Sequence, residues 1–513
     1  MRPVSPAARP FLVVRGGTAP QDVAALGRAL SARLRARGLV AHDPDPSVAP
    51  GPDGLPLLVP VAPDEDPDAV VADLRRRLGE VPESADLILR TSGSTTGTGR
   101  LVAMSARALV ASARATHARL DGPGRWVLAL PSHHVAGLQV LVRAAVAGTA
   151  VVVVDCRRGF SPQALAEAVR AAGESGALPV YTSLVPAQLH AVLAAGQERW
   201  AAELGRAARV LVGGAAADPD LLASARQVGL RVVTTYGMSE TGGGCVYDGV
   251  PLDGVTVRIE DPGPDGVGRI VLAGPVLAEG YAESTEPAES PGSREPVGPR
   301  GPVRPAGAGG TGAGGVGAGG PGAGGAGAPV TGFRRPSTPD LRSRGTSGGH
   351  GPGPDGSSTR PTGVSGVPGV PDGAGARGTE LVTADRGRVG PDGLLVVLGR
   401  VDDLIVTGGV KVDPREVEEV LVSLPGVGQA CVVGVPDPRW GSAVVAAVVP
   451  QTQAVLDPGT LRAAARERLG GVRAPKRLEV LEELPVRGPG KVDRRAVAAR
   501  LLRAAPGEVP GSR

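Results

Sequence analysis

The residues best suited to chemistry fall in four short stretches of this 513-residue chain. The first is Thr91-Ser92-Gly93-Ser94-Thr95-Thr96-Gly97-Thr98-Gly99-Arg100, directly after the apolar run Leu87–Arg90; all but its last residue are Gly, Ser or Thr. Small residues let backbone N–H groups close on an anion and hydroxyls add donors, so this is the composition of a phosphate cradle. It lacks the GK[ST] ending of a Walker A loop. The second stretch is Tyr236-Gly237-Met238-Ser239-Glu240-Thr241, again directly after a Val-rich run. Ligands of open α/β sheets gather at such strand ends. There Glu240 could hold Mg²⁺, and Ser239 and Thr241 could meet phosphate. Upstream, Gly213-Gly214-Ala215 ends another apolar run and offers bare backbone to a flat base.

The third stretch, residues 399–419, carries Arg400, Asp402 and the pair Gly408-Gly409; the fourth, residues 488–497, sets Lys491 just after Gly488 and Gly490. Taken singly, these motifs read equally as turns and surface charges. His133 and His134 are adjacent, but no HExxH motif or second cluster accompanies them, so a metal centre is not expected there. Arg143 reads either as the partner of a second substrate carboxylate or as a solvated helix position. His42, His117, His190 and His350 show no visible partners.

These groups must be held by a scaffold, and its elements are legible. Between Phe11 and Ala273, short apolar runs alternate with helix-period segments such as Ser161–Gly173. The runs are 11–14, 87–90, 126–130, 151–155, 178–182, 208–214 and 231–237. Buried Val-rich strands separated by helices predict a mostly parallel sheet covered by helices. Two strands without helices between them, 255–260 and 268–274, predict a small antiparallel appendage. Order resumes near Thr379, and mixed strands and helices over the following residues predict a small α+β domain.

Composition excludes several classes. The formal net charge is only +4, from 55 basic and 51 acidic residues, which points to neither nucleic acid nor a membrane surface. Cys156, Cys245 and Cys431 are far apart and form no CxxC, which fits a reducing, cytoplasmic setting. No apolar run is long enough for a membrane span, and the N-terminus has no signal-peptide pattern. Aromatic residues are 2% of the chain, so its cores must be Ala, Val and Leu. Most of the Gly and Pro excess lies in residues 283–377, which hold almost no large apolar side chains and are expected to be a disordered insertion.

The order of the motifs is more telling than any one of them. The phosphate-type loop 91–100, then Pro131–Leu138, then 236–241, then Thr383–Gly387, then 399–409, then 488–495 resembles the adenylate-forming superfamily, which includes acyl-CoA synthetases, luciferases and peptide-synthetase adenylation domains. Within it, residues 131–143 and 236–255 resemble o-succinylbenzoate–CoA ligases of menaquinone biosynthesis, in a compact form.

That resemblance implies roles position by position. Thr91, Ser92, Gly93, Ser94, Thr95, Thr96 and Gly97, with Arg100, match the loop that holds the pyrophosphate of ATP. Gly213, Gly214, Ala215, Tyr236, Gly237, Met238, Ser239 and Thr241 match nucleotide-lining positions, and Glu240 the Mg²⁺-linked catalytic glutamate. Asp385 and Arg400 match the ribose pair and Asp402 the hinge. Lys491 matches the lysine bridging substrate carboxylate and α-phosphate, and His134 the histidine beside the acyl pocket. Gly408 and Gly409 match the loop that lines the thiol tunnel of coenzyme A after domain rotation.

Two motifs depart from the pattern: Gly99-Arg100 stands where Pro-Lys is usual, and TAD where TGD is usual. The implied organisation is an AMP-binding domain over 1–282, the insertion 283–377, the end of the first domain with the ribose motif over 378–398, a mobile domain over 399–504 and a tail 505–513. The implied function is ATP-dependent ligation of a small carboxylic acid, o-succinylbenzoate, to coenzyme A. Another aryl- or fatty-acid–CoA ligase, a carrier-loading adenylation enzyme, or a non-catalytic relative that kept the fold are the alternatives. The sequence sets no oligomeric state.

Overall fold

The computed structural model describes residues 9–40, 55–91, 99–174, 176, 178–194, 198–283, 332–334, 380–451, 454–487 and 491–503. Two large sheets form its frame. The seven-stranded sheet runs in the order Val250–Pro251, Gly243–Tyr247, Arg231–Met238, Ala208–Gly213, Val180–Leu184, Arg125–Leu128, Val151–Val153. Its five strands from Arg231–Met238 to Val151–Val153 are parallel, and the hairpin after Met238 turns the last two antiparallel. The five-stranded sheet runs Phe11–Arg15, Leu57–Val61, Leu87–Arg90, Leu101–Met104, Gly280–Tyr281. Strands Leu57–Val61 and Leu101–Met104 are absent from the sequence expectation. Both are buried throughout, and so short a run carries no alternation to mark it.

Helices fill the space between and outside the sheets. Helices Pro20–Ala36, Ala106–Arg119 and Val135–Ala147 lie in the central layer, where Leu26, Leu30, Leu109, Leu138 and Leu141 share one core with Trp126, Leu211 and Tyr247. The opposite face of the seven-stranded sheet is covered by helices that include Pro162–Gly173 and Pro186–Leu193. Local signals set the helix ends. Ser105 and Ser161 accept from the backbone N–H three residues on, at 3.2 Å each, and Gly148 closes helix Val135–Ala147 in the left-handed region at φ 67°. With so few aromatic side chains, stability rests on many aliphatic ones, each worth roughly 1.5–3 kcal/mol when fully buried.

The antiparallel appendage is present and larger than its two expected strands. Thr256–Glu260 pairs with Gly268–Ala273, which pairs with Glu380–Val389 from beyond the Gly-rich tract. That long strand continues onto Leu395–Arg400. Most of the expected insertion, residues 284–331 and 335–377, lies outside the described residues. Two parts of it do not. Gly332–Arg334 is a strand antiparallel to Glu380–Val382, and Glu283 is bonded into the large domain at Arg77 and Leu101.

The smaller C-terminal part packs helices Pro414–Val422 and Pro458–Leu469 against the three strands Val427–Asp437, Gly441–Pro450 and Arg477–Val480. Two short ribbons complete it: Ile405–Thr407 with Val410–Val412, and Val486–Arg487 with Lys491–Val492.

Candidate functional site

Residues 213–215 and 236–241 collect at the C-terminal ends of two neighbouring parallel strands. Gly213 ends one strand so close to its neighbour that a Cβ there would sit 2.2 Å from Thr235 Oγ1. A Cβ on Gly237 would meet the Gly243 carbonyl oxygen at 2.0 Å. Glycine is required at both places by backbone proximity. The turn Ser239–Thr241 follows, with Gly242 in the left-handed region at φ 59°. Thr241 holds this turn through Oγ1, which accepts from Met238 N at 2.9 Å and donates to Gly243 O at 2.6 Å. Gln139, fully buried on helix Val135–Ala147, donates to Gly242 O at 2.6 Å and fastens the turn to that helix. Sequence reasoning passed over Gln139; its only signal was a polar residue among apolar ones.

Two hydrogen-bonded groups stand beside this turn. The Tyr236 hydroxyl donates to Asp385 Oδ2 at 2.7 Å, and Arg400 lies 3.7 Å from Asp385 Oδ1. Arg400 also grips Asp402 through two hydrogen bonds of 2.8 and 2.7 Å. Burial pushes the Asp385 carboxyl up, opposed by the Tyr236 hydrogen bond and the Arg400 charge. Burial works against the Arg400 charge, but Asp402 and Asp385 more than offset it and hold its pKa above the ordinary value. Tyr236 is pushed well up by burial and then by Asp385.

The second group is centred on Glu240, which is buried and accepts from the Tyr281 hydroxyl at 2.7 Å. Burial, then the Glu240 charge, keeps Tyr281 protonated as the donor. The guanidinium of Arg100 lies over the Tyr281 ring at 3.1 Å and reaches Glu283 at 3.5 Å. Among the described residues no group of three His, Cys, Asp or Glu side chains could hold a metal ion. A single carboxylate suits a Mg²⁺ held mainly by substrate phosphates and water.

Residues 92–98, with Ser92, Gly93, Ser94, Thr95, Thr96 and Gly97, lie outside the described residues. The base of that loop is described. Thr91 N donates to Arg100 O at 2.9 Å, and Arg100 N donates to Thr91 Oγ1 at 2.8 Å. Arg77 donates to Gly99 O as well.

His134 occupies the position just before helix Val135–Ala147 without a side-chain capping bond, its ring 4.3 Å from that of His133. Burial, then the neighbouring charges of His133 and Lys491, hold its pKa down at about 4. The expected site lysine and the expected pocket histidine are therefore within electrostatic reach of each other, although they lie in different parts of the chain. Gly408 and Gly409, at φ 55° and 81°, form the tip of their ribbon. A Cβ on Gly408 would lie 2.7 Å from the ring of Trp440, whose carbonyl accepts from Gly408 N at 2.9 Å. Beside the ends of strands Arg125–Leu128 and Val180–Leu184 lies a mainly apolar cavity of about 340 Å³, lined by Pro131, Cys156, Phe160, Val185 and Gln188 among others.

Two sequence expectations fail here. Arg143 is neither on a solvated face nor in this cavity. It is buried, donating to the Tyr247 hydroxyl at 3.1 Å with its guanidinium 4.9 Å from the Trp126 ring. His117 does have a partner: it accepts from Trp126 Nε1 at 3.3 Å, and burial followed by the charge of Arg143 holds its pKa at about 4. No helix among the described residues is long and apolar enough to cross a membrane.

Comparison with known proteins supplies the family. Residues 51–282 match the AMP-binding enzyme family, and residues 416–491 match the AMP-binding enzyme C-terminal domain. A Mycobacterium tuberculosis protein named probable 2-succinylbenzoate–CoA ligase is 35% identical over 434 residues, 83% of this chain and 87% of its own length. A medium/long-chain-fatty-acid–CoA ligase of the same organism is 46% identical over 127 residues, but this is 23% of this chain and 22% of the relative. In fold, the o-succinylbenzoate–CoA synthetase of Bacillus subtilis in complex with its acyl-adenylate intermediate superposes with a TM-score of 0.59 at 20% identity, covering 98% of this chain and 90% of that one. The chain thus belongs to the AMP-binding enzymes, as one of their acid–CoA ligases.

Proposed function

We propose that this protein joins 2-succinylbenzoate to coenzyme A at the expense of ATP, as a cytoplasmic enzyme of menaquinone biosynthesis. The observation that carries the substrate is coverage. Similarity to the M. tuberculosis relative runs through 83% of the chain, whereas the higher identity to the fatty-acid ligase is confined to 23%. A short stretch reports chemistry common to many acids; similarity along most of the chain supports a shared acid as well.

A carboxylate is a poor electrophile, since its leaving group would be oxide. In the first step a substrate carboxylate oxygen attacks the α-phosphorus of ATP, the bond to the β-phosphate breaks, and pyrophosphate leaves. In the second the CoA thiol attacks the acyl-AMP carbonyl, loses its proton, and expels AMP. Two anions meet in the first step, so the site must supply positive charge and donors. Lys491 stands between substrate carboxylate and α-phosphate, Asp385 and Arg400 hold the ribose, and the backbone of Gly213–Ala215 takes the adenine. Mg²⁺ held by Glu240 and the phosphates would neutralise charge on the leaving pyrophosphate. His134 lies beside the acid and, with a pKa of about 4, is neutral near pH 7, so it shapes the pocket without adding charge. For the thiol step the small domain turns about Asp402 and presents Gly408–Gly409 in place of Lys491.

The test is CoA-dependent AMP release with 2-succinylbenzoate, benzoate and a medium-chain fatty acid. A kcat/KM for 2-succinylbenzoate at least ten-fold above both others supports the proposal. Equal or better turnover of either of the others overturns it.

A further inference from the structure

Glu283 stands between two guanidinium groups at the base of the loop 91–100. Its Oε1 accepts from Arg77 at 2.7 Å, and its Oε2 is 3.5 Å from Arg100 Nε. Leu101 N also donates to Oε1, at 3.2 Å, so the carboxylate is tied to the strand that leaves the loop. All three side chains are partly buried, with 24–33% of their surface exposed, so their charges are less screened than on an open surface. Arg77 reaches Gly99 O, and Arg100 lies over the ring of Tyr281, whose hydroxyl donates to Glu240. Glu283 therefore balances two cations at the base of the loop that the reading above gives to the phosphates, with Asp73 also on Arg77 at 3.2 Å.

We propose that Glu283 is a positioning residue that holds Arg77 and Arg100 as an internal stand-in for phosphate. The terminal phosphates of a nucleoside triphosphate, or free pyrophosphate, take Arg100 from it on binding, and Glu283 recaptures Arg100 as pyrophosphate leaves. A polyphosphate carries more charge than a carboxylate and accepts the planar guanidinium fork at two oxygens, so it wins the exchange. The Leu101 contact keeps Glu283 from following Arg100. The carboxylate thus weakens ground-state binding of ATP and speeds release of pyrophosphate. This inference rests on the nucleotide reading of the site, not on the identity of the acid.

The experiment is calorimetric titration of the full chain with ATP–Mg²⁺ and with pyrophosphate, in the absence of any acid. Glu283→Gln keeps the acceptor for Leu101 and removes the charge. It should tighten both ligands by about three- to ten-fold, the scale of one partly exposed ion pair. Glu283→Asp should stay near the wild type, and in an Arg100→Gln background the effect of Glu283→Gln should fall by at least half. Should Glu283→Gln fail to fold, Glu283→Ala is expected to shift affinity in the same direction. Unchanged or weaker binding in a folded Glu283 variant overturns the inference and leaves the ligase reading standing. A wild-type protein that binds neither ligand overturns both.

Discussion

The two halves of the candidate site are built differently. On the nucleotide side, the groups proposed for ATP hold one another: Tyr236 to Asp385, Asp385 to Arg400, Tyr281 to Glu240, and Gln139 to the turn beside Glu240. On the small domain, Lys491 sits on a ribbon of two-residue strands, and Gly408–Gly409 on the tip of another. The first arrangement suits groups that serve every step from one place. The second suits groups that serve one step each and then leave. On the proposed roles, the groups that serve both steps are cross-braced, and those exchanged between steps are carried on short two-stranded ribbons.

The sharpest way to break this comparison is at Lys491. If it serves adenylation alone, Lys491→Ala should slow acyl-AMP formation by on the order of 10²–10³, the cost of removing one preorganised group. Thioester formation from synthetic acyl-AMP and CoA should stay within a few-fold of wild type. Lys491→Arg should also be poor, because a planar fork does not reproduce a compact ammonium. Quenched-flow measurement of each half-reaction reads both. Equal slowing of the two would erase the distinction between the exchanged and the permanent groups.

A bracing hydrogen bond on the large domain should give a smaller effect, spread over both steps. Asp385→Asn keeps the shape but removes the charge facing Arg400 and weakens the acceptor for Tyr236. The KM for ATP is expected to rise about ten-fold, in line with loss of a charge-assisted hydrogen bond. Affinity for AMP in the thiol step should fall by a similar factor. A change confined to one step would place Asp385 among the exchanged groups instead.

What was legible in the sequence was what is local in it. Most of the parallel strands, the loop after Arg90, the 236–241 turn and the Gly-flanked Lys491 carry their signal in consecutive residues. Tyr281, Arg77, Glu283 and Gln139 do not. Each acts through a partner far along the chain, such as Arg77 on Glu283 or Gln139 on Gly242, and no local pattern announces such a pair. Arg143 shows the reverse. Its position beside the expected pocket was local and suggestive, yet the packing of helix Val135–Ala147 turns it onto Trp126 and Tyr247.

Protonation offers a third probe, and it separates the fold from the chemistry. His117 and His134 both have pKa values held at about 4, against the ordinary 6.5, chiefly by burial. The unfolded chain therefore takes up protons at these positions before the folded one does. Their contribution is fully present above about pH 6.5 and is lost as pH falls toward 4. For buried His117 the loss is on the order of 2 kcal/mol across that window. His117→Gln should flatten the pH dependence of the urea midpoint between pH 6.5 and 4, while activity near pH 7.5 stays close to wild type. An unchanged slope would mean that His117 is not held neutral.

The smallest effect is expected where the chain is most unusual. Residues 284–331 and 335–379 contain almost no side chains able to build a core, but the short strand between them does have a place. Gly332–Arg334 pairs with Glu380–Val382 and extends the sheet that carries Asp385. Arg334 lies directly opposite Glu380, so residues 335–379 join two points already in register. A two-residue Asn-Gly turn makes the same connection in an antiparallel hairpin. Closing a long loop costs only about 0.6 kcal/mol more per doubling of its length, so little stability changes when it is shortened. Replacing 335–379 by Asn-Gly should therefore leave kcat/KM for ATP within about three-fold and the urea midpoint unchanged or slightly raised. Removing 332–334 as well strips a partner from the strand leading into Asp385. That second variant should lose stability and show a raised KM for ATP, while thioester formation from acyl-AMP changes less. If the two variants behave alike, strand 332–334 adds nothing to the nucleotide side. If the first already loses ATP binding, the long tract is part of the permanent half of the site.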